Sequence, residues 1–168
     1  RVGMLSLFGY SLSSELRGAG NSRSPTQSSR SNICGADSMT DKLRYEGACH
    51  CGALQFRLTT RPPHSLLRCN CSICELEDYL HWIMPLSHFE WVSGEASIYC
   101  FGSRVARHTF CPTCGIKPFY FPRSNPDGVS VNARCVRGID WRELPVDLFD
   151  GQHWEKNALT ITHLSFDR

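Results

Sequence analysis

Three thiols fall within six residues at Cys69-Asn70-Cys71-Ser72-Ile73-Cys74, and two tight pairs flank them at Cys49-His50-Cys51 and Cys111-Pro112-Thr113-Cys114. Cysteines one or two residues apart are poorly placed to pair with each other. Short C-x-C and C-x-x-C knuckles are instead how a backbone turn presents two sulfurs to one metal ion. A chain carrying three such clusters is expected to fold around metal rather than around disulfides.

Ligand count divides the clusters. The outer pairs, Cys49 with Cys51 and Cys111 with Cys114, supply the four thiolates of a closed zinc site, which is usually structural. The central trio, Cys69, Cys71 and Cys74, supplies three, which hold a zinc ion while one tetrahedral position stays open to water or a substrate sulfur. The expectation is two zinc ions. One pins the two ends of the domain together, and the other is the reactive centre.

At 168 residues the chain suits one domain with its own core. Its 41% hydrophobic and 20% charged content is ordinary for a globular protein. The formal charge of +2 drops to about −1 if seven thiolates each subtract a charge and two zinc ions each add two. Nothing in that balance indicates a nucleic-acid partner. No apolar run nears the roughly 18 residues a membrane-spanning helix requires, and the N-terminus shows no compact apolar segment after basic residues. A reducing compartment follows, the cytoplasm first and the nucleus second.

Residues 1–42 alternate Ser, Gly and Arg without a helical or strand period. They read as a disordered tail or an upstream extension, with Met39 a natural start and Cys34 without a role. The zinc domain is expected over 43–160, followed by a short tail at 161–168. Ala53-Leu54-Gln55-Phe56-Arg57-Leu58 alternates as a half-buried strand leaving the first knuckle. Ser65-Leu66-Leu67-Arg68 enters the central cluster as another strand, and Glu75 to Leu80 reads as a brief helical turn with Leu76, Tyr79 and Leu80 on one side. Short β-type runs follow at 81–85, 89–92, 97–101, 107–110, 116–121, 128–133 and 145–149, with a short helix near Trp154 to Ala158. The sum is a mainly β, compact antiparallel fold with zinc knuckles and few short helices.

Gly47-Ala48-Cys49-His50-Cys51-Gly52-Ala53, the central trio and Phe110-Cys111-Pro112-Thr113-Cys114-Gly115 resemble, in order, the three motifs of the glutathione-dependent formaldehyde-activating (GFA) family. Two further runs, Phe119-Tyr120-Phe121-Pro122-Arg123-Ser124-Asn125-Pro126-Asp127-Gly128 and Phe149-Asp150-Gly151-Gln152-His153-Trp154-Glu155-Lys156, resemble its eukaryotic centromere protein V branch. The resemblance implies a methionine sulfoxide reductase B-like fold. It also implies a structural zinc on Cys49, Cys51, Cys111 and Cys114, and a catalytic zinc on Cys69, Cys71 and Cys74. The activity implied is that of a carbon-sulfur lyase acting on S-hydroxymethylglutathione or a related thiol adduct. The alternative is a non-catalytic zinc-stabilised binding module of centromere protein V type, acting on chromatin or cytoskeleton.

Four features qualify that expectation. Glu75, Glu77 and Asp78 beside the trio either repel an anionic tripeptide, so that glutathione binds toward Arg68, Arg104 or Arg107 or the substrate differs, or form a solvated helical face. His81 and His108 are the titratable candidates for a proton shuttle, or else packed histidines. Cys135 is a buried free thiol or a fourth ligand that closes the trio, and Cys100, between Tyr99 and Phe101, reads as core. Trp82, Phe89, Trp91, Phe119 and Phe121 read as core aromatics.

Overall fold

The computed structural model describes residues 42–167. The expected N-terminal tail, with Cys34, lies outside the described residues. Ten short strands follow in chain order: β1 (Leu43–Ala48), β2 (Gln55–Thr60), β3 (Leu66–Cys69), β4 (Leu80–Pro85), β5 (Phe89–Ser93), β6 (Ser97–Tyr99), β7 (His108–Phe110), β8 (Phe119–Tyr120), β9 (Gly128–Asn132) and β10 (Val146–Phe149). Two single-turn α-helices, α1 (Cys74–Glu77) and α2 (Trp154–Asn157), complete a mainly β architecture, with a 3₁₀ segment Ala158–Ser165 after α2.

The strands form three sheets. β1, β2 and β5 make an antiparallel sheet in which β2 buries Phe56, Leu58 and Thr60 and turns Gln55 and Thr59 outward, as its alternating sequence requires. The second sheet runs in the order β10, β3, β4, β9, β8. Its central strand β4 is buried along nearly its whole length, so its residues are apolar apart from the buried His81 and do not alternate. β6 and β7 form a separate two-stranded ribbon.

Between the two larger sheets the side chains of Phe56, Leu58, Leu66, Trp82, Phe119 and Val131 pack into one core. Each contributes about 1.5–3 kcal/mol by leaving water. The Phe119 ring lies edge-on to those of Phe56, Phe89 and Trp91. A second, smaller cluster joins Cys69, Cys74, Tyr79, Tyr120, Phe149 and Ile161 around the central trio.

Three local expectations are corrected. The helical turn ends at Glu77, and Asp78 takes a left-handed φ of 46°. Tyr79 is therefore buried and Leu80 opens β4, while Leu76 points to solvent with 88% of its surface exposed. Cys100 follows the end of β6 and is only half buried, since its neighbours Tyr99 and Phe101 stand in solvent on an edge ribbon. Trp91 is likewise exposed at the rim of its sheet, where its indole N–H donates to the carbonyls of Ser93 and Gly94.

β10 departs from the antiparallel rule. It pairs parallel with β3, Phe149 opposite Cys69, and so carries residues 150–152 back over the central trio. Beyond it the chain stays packed. Asn125, almost fully buried, donates through Nδ2 to the carbonyls of Ile161 and Thr162 and to Ser165 Oγ, at 3.0–3.1 Å. The segment read as a tail from residue 161 thus begins as part of the folded body, with Ile161 buried.

Candidate metal centres and their cavity

The two outer knuckles are built alike. In the first, the Cys49 N–H donates to the Leu54 carbonyl and the Gly52 N–H to the Cys49 carbonyl. In the second, the Cys111 N–H donates to Ile116 and the Gly115 N–H to Cys111. Gly52 and Gly115 take φ values of 78° and 74°, a left-handed conformation that glycine enters without steric cost. Each turn therefore leaves its pair of sulfurs pointing the same way.

The knuckles meet across the fold. The sulfurs of Cys49, Cys51, Cys111 and Cys114 all lie within 4.8 Å of one another, with Cys51 Sγ 3.6 Å from both Cys49 Sγ and Cys111 Sγ. Zinc-sulfur bonds of about 2.3 Å set a tetrahedral edge of about 3.8 Å, whereas a disulfide holds its sulfurs about 2.05 Å apart. The spacing fits a metal and excludes bridges. Backbone amides support ionised sulfur here. Leu54 N–H donates to Cys49 Sγ at 3.2 Å, and amide bonds from Cys51 and Ile116 bring the Cys114 thiol down to about 6.

The central trio comes from three different local structures: Cys69 ends β3, Cys71 sits in the loop after it, and Cys74 opens α1. Their sulfurs also lie within 4.8 Å of one another. Hydrogen bonds from the Cys69 and Cys74 thiols hold Cys71 far below the ordinary thiol value. Donating to Cys69 and also to Cys71 pushes Cys74 up. Three thiols that share a negative charge this readily suit a metal ion. Among the described residues no fourth Cys, His, Asp or Glu joins the trio. Cys135, weighed above as a closing ligand, belongs to neither cluster.

The trio lines a cavity of about 520 Å³. That volume lies in the range of small-molecule sites. Its walls include Ile83, Tyr120, Phe149 and Ile161, with His81 and His108 among them. Both histidines are buried. His81 Nδ1 lies 3.0 Å from Ser130 Oγ and 3.5 Å from the Tyr120 hydroxyl, while its Nε2 has no partner among the described residues. Burial drives His81 down to about 3. Burial, aided by the Lys117 charge, drives His108 down to about 4. Both rings are neutral near pH 7, hydrogen-bonding groups rather than bases. Burial likewise holds the Tyr120 hydroxyl protonated.

The acids beside the trio are largely answered. Glu77 Oε2 accepts from buried Lys117 Nζ at 2.6 Å, and Lys117 also reaches His108 Nδ1 at 3.2 Å. Asp78 pairs with Arg68 at 3.3 Å and with Arg134. The expected repulsion of an anionic ligand thus shrinks to Glu75.

Two groups at this site carry no local signal in the sequence. Gly151, after β10, packs directly on Cys69 and Cys71. Asn70 ties that loop down, because its Oδ1 accepts from the Gln152 N–H at 3.0 Å and its own N–H donates to the Phe149 carbonyl at 3.3 Å.

The model of the glutathione-dependent formaldehyde-activating enzyme family matches residues 44–145, more than half the chain and all three cysteine clusters. The chain belongs to that family. A Halomonas elongata protein named for glutathione-dependent formaldehyde activation is 55% identical over 32 residues, which are 19% of this chain and 20% of that protein. The match thus spans about a fifth of that relative's length. A crystal structure of a Rhodobacter sphaeroides protein is 34% identical with a TM-score of 0.55, covering 60% of this chain and 98% of that one. The GFA match ends at residue 145, so β10, Gly151 and α2 lie beyond it.

Proposed function

We propose that this GFA-family protein joins glutathione and formaldehyde to S-hydroxymethylglutathione, and catalyses the reverse carbon-sulfur cleavage. The observation that carries this reading is the trio of convergent thiols, without a fourth donor among the described residues, on the wall of a cavity large enough for a small molecule. In the forward direction the thiol sulfur bonds to the carbonyl carbon, the C=O π bond becomes C–OH, and the thiol proton ends on that oxygen. Cys69, Cys71 and Cys74 would hold one zinc ion, and Cys49, Cys51, Cys111 and Cys114 a second that is structural. Bound at the trio, zinc supplies Lewis acidity that lowers the pKa of a thiol and polarises a carbonyl.

The chain's own groups do the rest. Phe149 and the Gly151 backbone cover the trio from the β10 side, and Ile83 and Ile161 keep the cavity wall apolar. We assign to the Tyr120 hydroxyl a hydrogen bond to the carbonyl oxygen, since it is the one protonated phenol on the wall. His81, neutral and fixed by Ser130, holds that hydroxyl in place. The centromere protein V affiliation rests on the two runs quoted for it, both of which contribute wall residues: Tyr120 and Arg123 from one, Gly151 and Trp154 from the other. A zinc domain that begins at residue 43 and runs past Ile161, in the cytoplasm, accommodates this chemistry.

Exchange NMR with ¹³C-formaldehyde and glutathione tests the proposal. The zinc-loaded protein should speed interconversion of free and thiol-bound formaldehyde, and Cys71→Ser should abolish the gain. Exchange at the uncatalysed rate with two zinc ions bound would remove this function.

A further inference from the structure

The cavity beside the trio has a mixed apolar and polar wall, and Arg123 is the one Lys or Arg on its lining among the described residues. Arg123 is held from several sides. Its guanidinium lies over the Trp154 ring, 3.3 Å from the centroid, and its Nη2 donates to Glu155 Oε1 at 2.8 Å. Its loop is anchored next door by the buried Ser124 and Asn125, the latter bonded to the 3₁₀ segment that follows α2. The arginine is thus placed by the fold, while its carboxylate partner is not. Glu155 is 80% exposed, and an exposed ion pair of that kind contributes little.

A planar guanidinium stacked on an indole at a cavity wall, already holding one carboxylate through Nη2, is suited to bind another in its place. From these positions we infer that Arg123 reads a carboxylate of the thiol substrate, and that Glu155 occupies the position until the ligand displaces it. This rests on the function proposed above and deepens it: it names the side chain that recognises a carboxylate of the thiol and the one that competes for it. Glu155 is then a built-in competitor. It holds the guanidinium in its bound orientation in the empty cavity and swings into solvent when a ligand arrives, with Trp154 retaining the stacking contact throughout.

Calorimetric titration of the zinc-loaded protein with glutathione, glutathione diethyl ester and 2-mercaptoethanol separates the possibilities. Wild type should bind glutathione more tightly than the diester, which keeps the shape but lacks both carboxylate charges. Arg123→Gln should weaken glutathione about tenfold or more, collapse the difference from the diester, and leave 2-mercaptoethanol unchanged, which also reports an intact site. Glu155→Gln should tighten glutathione about two- to fivefold. If all three thiols bind and the glutathione-to-diester ratio survives Arg123→Gln, this inference is overturned while the proposed function stands. If none of the thiols binds the zinc-loaded wild type, both are overturned.

Discussion

The backbone of Gly151 runs against the sulfur of Cys69 so closely that a β-carbon at residue 151 would overlap Cys69 Sγ and come within 2.9 Å of Cys71 Cβ. The parallel pairing of β10 with β3 produces this contact, since it sets Phe149 beside Cys69 and the next two residues over the trio. A glycine is required here for space, not for an unusual backbone angle.

Gly151→Ala should therefore strike one metal centre and spare the other. The added methyl costs about 1–3 kcal/mol if the loop and the trio shift to admit it. Metal analysis should find the ion at the trio weakened or lost and the four-cysteine ion retained. A variant that keeps two tightly bound metals would show that the loop yields without disturbing the sulfurs.

The two clusters should respond differently to loss of one ligand. Cys111 is fully buried against Cys49 and Leu54 of the other knuckle, and a structural zinc contributes folding energy comparable to the whole stability of a domain, about 5–15 kcal/mol. Cys111→Ser should leave no cooperative thermal transition. Cys71, half buried on a loop beside a cavity, should give a folded Cys71→Ser protein with one metal fewer. Equal collapse of both variants in circular dichroism would contradict the division of labour.

Lys117 is buried, and its charge is matched by Glu77 at 2.6 Å. Removing the carboxylate in Glu77→Gln leaves that ammonium with His108 Nδ1 and the faces of Tyr79 and Tyr120, whose centroids lie 5.8 and 5.6 Å away. The expected cost is about 1–3 kcal/mol in urea unfolding. Glu75→Gln, at an exposed position without an ion pair among the described residues, should change stability by less than about 0.5 kcal/mol. Equal effects would mean that the Lys117 pair is solvated.

What could be read from the sequence follows from distance along the chain. Cysteine spacing and flanking alternation lie within a few residues of each other, so the knuckles, the strands beside them and the convergence of Cys69, Cys71 and Cys74 were legible. The role of Gly151 was not, because it depends on pairing between strands 80 residues apart in sequence (149 − 69) that reverses the expected antiparallel sense. The acids at 75, 77 and 78 were visible, but Lys117 and Arg134, which answer two of them, arrive from β8's approach and from the turn after β9. Leu76 misled because an apolar residue in a four-residue helix has no face to complete.

The neutral histidines make the fold sensitive to acid, with a sign set by their downward shifts. In the unfolded chain both rings protonate near about 6.5; folded, burial holds His108 neutral to about 4 and His81 to about 3. The unfolded state thus takes up protons first. Their contribution is complete above about 6.5 and is lost progressively as pH falls toward about 4 for His108 and about 3 for His81. Each ring adds up to about 1.4 kcal/mol per pH unit to the slope in that window. Thiol protonation at the metal centres steepens the same limb, so the informative quantity is a difference between proteins. His108→Gln lacks one of the titrating rings, whatever it loses in stacking against Tyr120 at 4.9 Å. Its unfolding free energy, measured in urea from pH 6 down to 4.5, should fall with a slope shallower than wild type by about one proton. Parallel slopes would show that His108 binds its proton equally well in the folded and unfolded states.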